Sequence, residues 1–443
     1  MDAGQPREAT GRPGSPTTLE LRPFRGVRYD TGRLPDPAAV TSPPYDVIAP
    51  ENAAELAAAH PHNVVRLILP GADGDPVQPG AAHQQAAGLL RSWLAGGVLR
   101  RDATPGLYVY EQRGPGLLQR GLIGAVGLHP PADRVVLPHE DVVAHVVADR
   151  LALLRATRAN LEPILLLYDG GGAASDAVET VAESRPPLLT AATPDGLTHR
   201  LWQVTDRELL TRVAADLAPR QALIADGHHR YATYLAYQEE QRAAGRGAGP
   251  WDFGLALLVD TVRHPPRLQG IHRSVSGLGL AEALTALRDT FQVTAFPAGA
   301  PARPPDLNGR RGAAADSTVF VLTDGDRTVR VDLADPTVLR RLPVPAGAGR
   351  APDAQVLTDL VLPRLWGVPD EDPRVHYEHD PEQAVRHARA AGGVAVLVRA
   401  PSVDEVRRVA AAGQRMPRKS TSFGPKPRTG LVLRVLPDEA TPG

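Results

Sequence analysis

The chain has 443 residues, with 49 Lys and Arg against 50 Asp and Glu, a formal net charge of −1 and no cysteine. That length supports a large core divided over two lobes. The balanced charge gives no general basic field for nucleic acid, and the lack of cysteine excludes disulfides, thiolate catalysis and Cys-ligated zinc or iron–sulfur centres.

Residues 1–18 are polar and read as a disordered tail. No signal peptide or apolar run of transmembrane length stands out, so a cytoplasmic protein without membrane contact is expected. Pro43 and Pro44 fix an extended backbone, which suits a rigid loop presenting Tyr45 and Asp46 at the mouth of a pocket or a loop that simply crosses a sheet edge. A helix is predicted over residues 50–60, a strand over 63–69, a polar loop over 71–80 and an amphipathic helix over 81–97. Residues 106–111 and 120–128 read as a packed hairpin. His139, Glu140 and Asp141 follow, a general base or magnesium ligands by residue type and, on spacing alone, more commonly a solvated turn. His145 lies six residues after His139, which is not the spacing of a zincin. Helices over 149–159, 173–184 and 206–217 alternate with strands over 160–168 and 198–204.

The stretch from Ala222 to Tyr231 organises the rest. Residues 222–225 are a buried strand end, Asp226 and Gly227 a turn, and the residues from Tyr231 a helix. Gly227 permits close backbone approach, and the first helical turn directs free N–H groups and a positive dipole end at an anion. His228, His229 and Arg230 add side-chain donors there. An aspartate N-cap with solvated His and Arg is the plain structural alternative.

Further on, a strand is expected over 251–259, a second His-Arg pair at His272 and Arg273, and a helix over 279–291. The Pro/Gly/Arg-rich residues 297–311 mark a lobe boundary. A hairpin over 319–333, a helix over 355–366, a strand over 394–398, a helix over 402–412 and a strand over 430–435 complete the pattern. Strands, helices and hairpins together give an α/β to α+β class with mixed sheets and flanking helices.

Among the 49 basic residues only two are lysines, Lys419 and Lys426. A chain that writes arginine almost everywhere has placed its compact ammonium groups in one segment, beside Ser420 and Thr421. A pocket that fits a single point charge, such as a phosphate or carboxylate contact, accounts for that choice, with chance within a skewed composition as the plain alternative.

Several separated stretches together resemble the family called domain of unknown function 1015. They are residues 43–48, His139 and Glu140 with Asp149 and Arg150, residues 225–231, His272 with Arg273, and residues 416–431. The resemblance spans roughly residues 20–436. A second resemblance links residues 226–230 to the nucleotide-binding turn of the ParB/sulfiredoxin superfamily, which includes free serine kinases. It implies a nucleotide-binding core in which Gly227 shapes the loop and His228, His229 and Arg230 hold the polyphosphate. His228 stands where sulfiredoxins carry cysteine, so thiol repair is excluded. No helix-turn-helix candidate accompanies it.

The boundary at 297–311 divides the chain into a lobe over 19–296 carrying the turn, ParB/sulfiredoxin-like by the resemblance, a second over 297–436 carrying the lysine segment, and a tail over 437–443. The resemblance implies nucleotide-dependent phosphoryl transfer to a small hydroxyl metabolite, with ATP or ADP and Mg²⁺ as cofactors and a small phosphate or amino acid as substrate. Glu140, Asp226 and His229 are the catalytic candidates. Gly227, His228, Arg230, His272, Arg273, Lys419, Ser420, Thr421 and Lys426 are the phosphate-binding candidates, and Tyr45, Asp46 and His139 line the substrate pocket. A small-molecule phosphatase and a non-catalytic nucleotide-binding regulator are the alternatives. All three require residues 139–141, 225–231 and 416–430 to converge in space.

Overall fold

The computed structural model describes residues 18–72, 79–297, 302–303 and 317–437. Among these residues, nine strands form one mixed sheet. Its order is Val136–Leu137, Ala222–Asp226, Ile164–Tyr168, Phe253–Asp260, Leu117–Gly127, Leu107–Gly114, Thr198–Val204 and Leu189–Ala192, with Leu21–Arg22 added beside Leu117–Gly127. The central strands are apolar up to the aspartates that end two of them, Asp226 and Asp260, and are buried on both faces, as a sheet covered by helices requires. Ala222–Asp226 runs parallel to Val136–Leu137 and antiparallel to Ile164–Tyr168, with a register shift between Ile224 and Asp226.

A second, antiparallel sheet of six strands has the order Phe291–Ala295, Thr328–Leu333, Val319–Thr323, Val394–Val398, His272–Val275 and Val375–Glu378. It therefore takes in strands on both sides of residue 297. Most of the segment 297–311 lies outside the described residues, as do residues 1–17, 73–78 and 438–443. The chain then returns to the first sheet's side. Ser422–Gly424 pairs with Arg267–Gln269, and Arg434–Val435 pairs with Ala159–Asn160. An isolated bridge joins Ser42 to Thr429.

The strand expected over 63–69 is instead a helical turn, Val65–Ile68. The Asn63 side chain accepts from the Val65 N–H at 3.0 Å, and this local bond starts a helix where β-branched residues alone suggest a strand. The strand expected over 160–168 is split into Ala159–Asn160 and Ile164–Tyr168 on either side of Pro163, whose missing N–H cannot join a ladder. The helix expected from 149 begins earlier, at Ala144–Thr157. The helix expected over 355–366 is a single α-turn, Asp353–Val356, followed by a wider π-helix, Leu357–Leu365, which holds Pro363 where an N–H donor would otherwise be needed.

Candidate active site

The strand Ala222–Asp226 ends at an aspartate, Gly227 turns the backbone, and the helix His228–Ala243 starts at once. Gly227 has φ +93°, a left-handed conformation that a side chain rarely adopts. A Cβ there would also lie 3.1 Å from Arg230 Nε. Asp226 Oδ2 accepts from Arg230 Nη2, and Oδ1 sits 2.6 Å from Lys426 Nζ. Arg230 Nη1 donates to the Pro163 carbonyl at 2.6 Å. The guanidinium is buried, so it positions Asp226 rather than facing an open cleft. Lys426 also donates to Asp46 Oδ2 at 2.9 Å, which ties the 43–48 loop to the turn.

The two histidines hold a neighbouring loop. His228 Nε2 accepts from the His139 N–H at 3.2 Å, and His229 Nε2 accepts from the Val143 N–H at 3.0 Å. A ring nitrogen that accepts from an amide carries no proton, so both neutral rings hold theirs on Nδ1. Burial, with His139 beside it, pushes the His228 imidazole well below its ordinary value, and burial lowers His229 as well. Residues 139–143 are thus stapled over the helix start.

That staple places Glu140. Thr421 Oγ1 lies 2.8 Å from Glu140 Oε1 and 3.1 Å from His139 Nε2. An ionised carboxylate only accepts, so Thr421 donates to Glu140 and His139 Nε2–H donates to Thr421. Burial pushes His139 down to about 4, which keeps this ring neutral. His228 Nδ1 lies 3.9 Å from Glu140 Oε2. Burial raises the Glu140 carboxyl above its ordinary range, against the Thr421 hydrogen bond and the nearby Lys419 charge, while the Asp226 charge adds to the rise. The side chain keeps 30% of its surface exposed, so a substrate can reach it.

Beneath the 43–48 loop lies Glu162, 5% exposed, whose Oε1 accepts from the Tyr45 N–H at 2.9 Å. The Arg150 guanidinium stacks over the Tyr45 ring at 4.5 Å. Burial raises the Tyr45 phenol to about 12, so it remains a neutral hydrogen-bonding group. Burial works to raise Asp46 as well, but Lys426 and Arg230 outweigh it and hold that carboxyl below its ordinary value. On the far side of Lys426 opens a cavity of about 460 Å³, walled by Pro43, Pro44, Val47 and Phe423 with Gln112 and Arg428. An apolar pocket with a few polar groups, next to a charged cluster, is the usual form of a small-molecule site.

The three segments therefore converge, with Thr421 on Glu140 and Lys426 on Asp226. Not every expected residue joins them. His272 and Arg273 lie inside the second sheet, 1% and 0% exposed. His272 Nδ1 accepts from the Val398 N–H, and Arg273 bonds Asp370 and stacks on Tyr377. Arg273 Nη1 also donates to the Lys419 carbonyl at 3.2 Å, so it supports the lysine turn from behind. Lys419 is exposed at φ +54°, with its Nζ 5.9 Å from the Tyr377 ring. Ser420 is buried and lines a different cavity. Sequence reasoning singled out Arg150 without giving it a role, and it missed Glu162 and His379, whose Nδ1 lies 3.1 Å from Ser422 Oγ. Glu162 did leave a signal: it is an acid inside an otherwise apolar run next to a proline.

Among the described residues no group of three or more His, Asp or Glu could hold a metal ion. Asp226 and Asp46 already have cations as partners, which leaves Glu140 as the carboxylate open to one. Mg²⁺ commonly binds through one carboxylate plus substrate phosphates, so this arrangement fits an ion carried in by a polyphosphate. No helix among the described residues is long and apolar enough to cross a membrane.

Fold and site together define a mixed α/β protein with a charged cleft where the lysine segment returns to the first sheet. Residues 21–345 match the family described as Protein of unknown function (DUF1015), and the chain belongs to that family. A comparison with curated proteins gives no match. Similar solved structures include a free serine kinase in complex with AMP, at 14% identity and TM-score 0.33, covering 68% of this chain and 88% of that one. A conserved hypothetical protein from Pyrococcus furiosus aligns at 13% identity and TM-score 0.32, covering 68% and 92%. SbnI with a C-terminal truncation, from Staphylococcus aureus, aligns at 12% and 0.32, covering 68% and 82%. Likeness at that level says nothing about what this chain binds.

Proposed function

We propose that the cleft transfers a phosphoryl group from ATP or ADP to the hydroxyl of a small metabolite. The observation that carries this reading is Glu140: a carboxylate of raised pKa, held by Thr421 and facing the only two lysines of the chain. Glu140 accepts the hydroxyl proton as the acceptor oxygen forms its bond to phosphorus. The bond from phosphorus to the bridging oxygen breaks, and the shortened nucleotide leaves with that oxygen's electrons. Lys419 and Lys426 lie where charge on the transferred group is neutralised, and the amides of the first helical turn favour an anion beside them. Bound Mg²⁺ would supply further charge neutralisation. Asp226 is the competing base, but with Arg230 on one oxygen and Lys426 on the other it acts as the group that positions Lys426. His228 and His229 hold the Glu140 loop.

Thermal-shift titration with ATP, ADP, CTP and phosphoserine, with and without Mg²⁺, tests the reading. A ligand of the folded state raises Tm with the logarithm of its concentration over Kd. A rise with ATP or ADP that disappears in the exposed-site variant Lys419→Ala is expected. No rise with any nucleotide contradicts the proposal, and a rise with phosphoserine alone replaces it with hydrolysis, water being the acceptor.

A further inference from the structure

The cavity lined by Ser420 is separate from the cleft and has a volume of about 580 Å³. Its wall comes from three places: the 348–354 turn, the exit of strand Val394–Val398 with the start of helix Val403–Ala411, and the lysine segment. Arg350, Arg399 and Arg408 face two carboxylates, Asp353 and Glu405, so the lining carries excess positive charge.

The carboxylates do not offset the arginines equally. Asp353 is 4% exposed and bonds both Arg350 Nη1, at 2.9 Å, and Arg399 Nη2, at 3.0 Å. It orients those guanidiniums at the cavity wall. Burial raises the Glu405 carboxyl above its ordinary range, against the pull of the Arg350 charge. Arg408 uses only Nε in the fold, on the Gly347 carbonyl at 3.2 Å, and its remaining N–H groups have no hydrogen-bond partner among the described residues. The lining also includes Ser402, the N-cap of helix Val403–Ala411. The second, independent observation is Ser420. Its side chain is 1% exposed, yet its Oγ has no hydrogen-bond partner. A buried hydroxyl without a partner is costly, and a donor beside arginines and a helix start lacks only an anionic acceptor.

We propose that this cavity binds a small molecule carrying a phosphate or carboxylate group, held by Arg350, Arg408 and the Ser420 hydroxyl. The site lies outside the Glu140 cleft and does not depend on what that cleft does.

Isothermal titration with inorganic phosphate and, in parallel, with malonate tests the proposal and separates the two anion types. At least one probe is expected to bind the wild-type chain. Its Kd is expected to rise about tenfold or more in Arg408→Gln, and by a smaller factor in Ser420→Ala. Arg408 is exposed and Ser420 small, so both variants keep the fold even if Arg350→Gln, which leaves Asp353 short of a partner, does not. Two outcomes overturn the proposal: neither probe binds, or binding persists unchanged in Arg408→Gln and Ser420→Ala. Loss of binding in Lys419→Ala instead places the anion in the cleft and overturns it equally.

Discussion

Glu140 carries a burden that the fold alone would not select. Its folded pKa lies above the ordinary value, so the folded state binds the proton more tightly than the unfolded chain does. That contribution favours the fold at low pH and is lost as pH rises through the folded pKa. At pH 8 the ionised side chain is a liability, and Glu140→Gln is expected to raise Tm there while changing it little at pH 4. Calorimetry at the two values checks this, and equal Tm at pH 8 would remove the raised pKa from the account. The same shift places the acid limb of the activity profile above the ordinary glutamate value of about 4.3, because the base is lost on protonation. Composition alone singled out the two lysines, and the family resemblance added Glu140 as a candidate. Neither could show that Arg230 is buried against Asp226 and Pro163, or that the histidines accept from backbone amides, since both depend on partners far away in the chain.

The strand, glycine turn and helix around residue 227 form the element that everything else is pinned to. This was legible because each part has a local cause: an apolar run, a glycine before the first turn, then helix-forming residues. The left-handed Gly227 holds Asp226 and the first turn at the angle that lets Arg230 and Lys426 reach one carboxylate. Gly227→Ala is expected to lose about 1–2 kcal/mol from the left-handed backbone alone, read as a lower urea midpoint with unchanged slope. An unchanged midpoint would mean that the turn relaxes freely. Elements whose cause is not local were read less well. The 63–69 segment turned helical through the Asn63 side chain, and the strand expected from residue 160 was split by Pro163.

At the scale of the whole molecule, the C-terminal segment matters most. Lys426 comes from a stretch that follows the second sheet in sequence, yet it pairs with Asp226 of the first. The bridge from Thr429 to Ser42, the pairing of Arg434–Val435 with Ala159–Asn160 and the buried Leu431, Val432 and Leu433 bring that stretch home. Long-range returns of this kind leave no periodicity to read, which is why a linear division at residue 297 does not follow the sheets. It is also why Arg273, placed in the second sheet, supports the Lys419 turn from behind instead of touching a ligand.

In the proposed function one cleft, assembled from three distant segments, moves a phosphoryl group with Glu140 as base. Its most direct test is ³¹P NMR of the purified protein with ATP or ADP, Mg²⁺ and a panel of small hydroxyl metabolites, serine first. A new phosphomonoester signal is predicted, appearing about 10²–10⁴-fold more slowly in Glu140→Gln while the nucleotide still binds. No monoester with any acceptor, or an equal rate in Glu140→Gln, would contradict it.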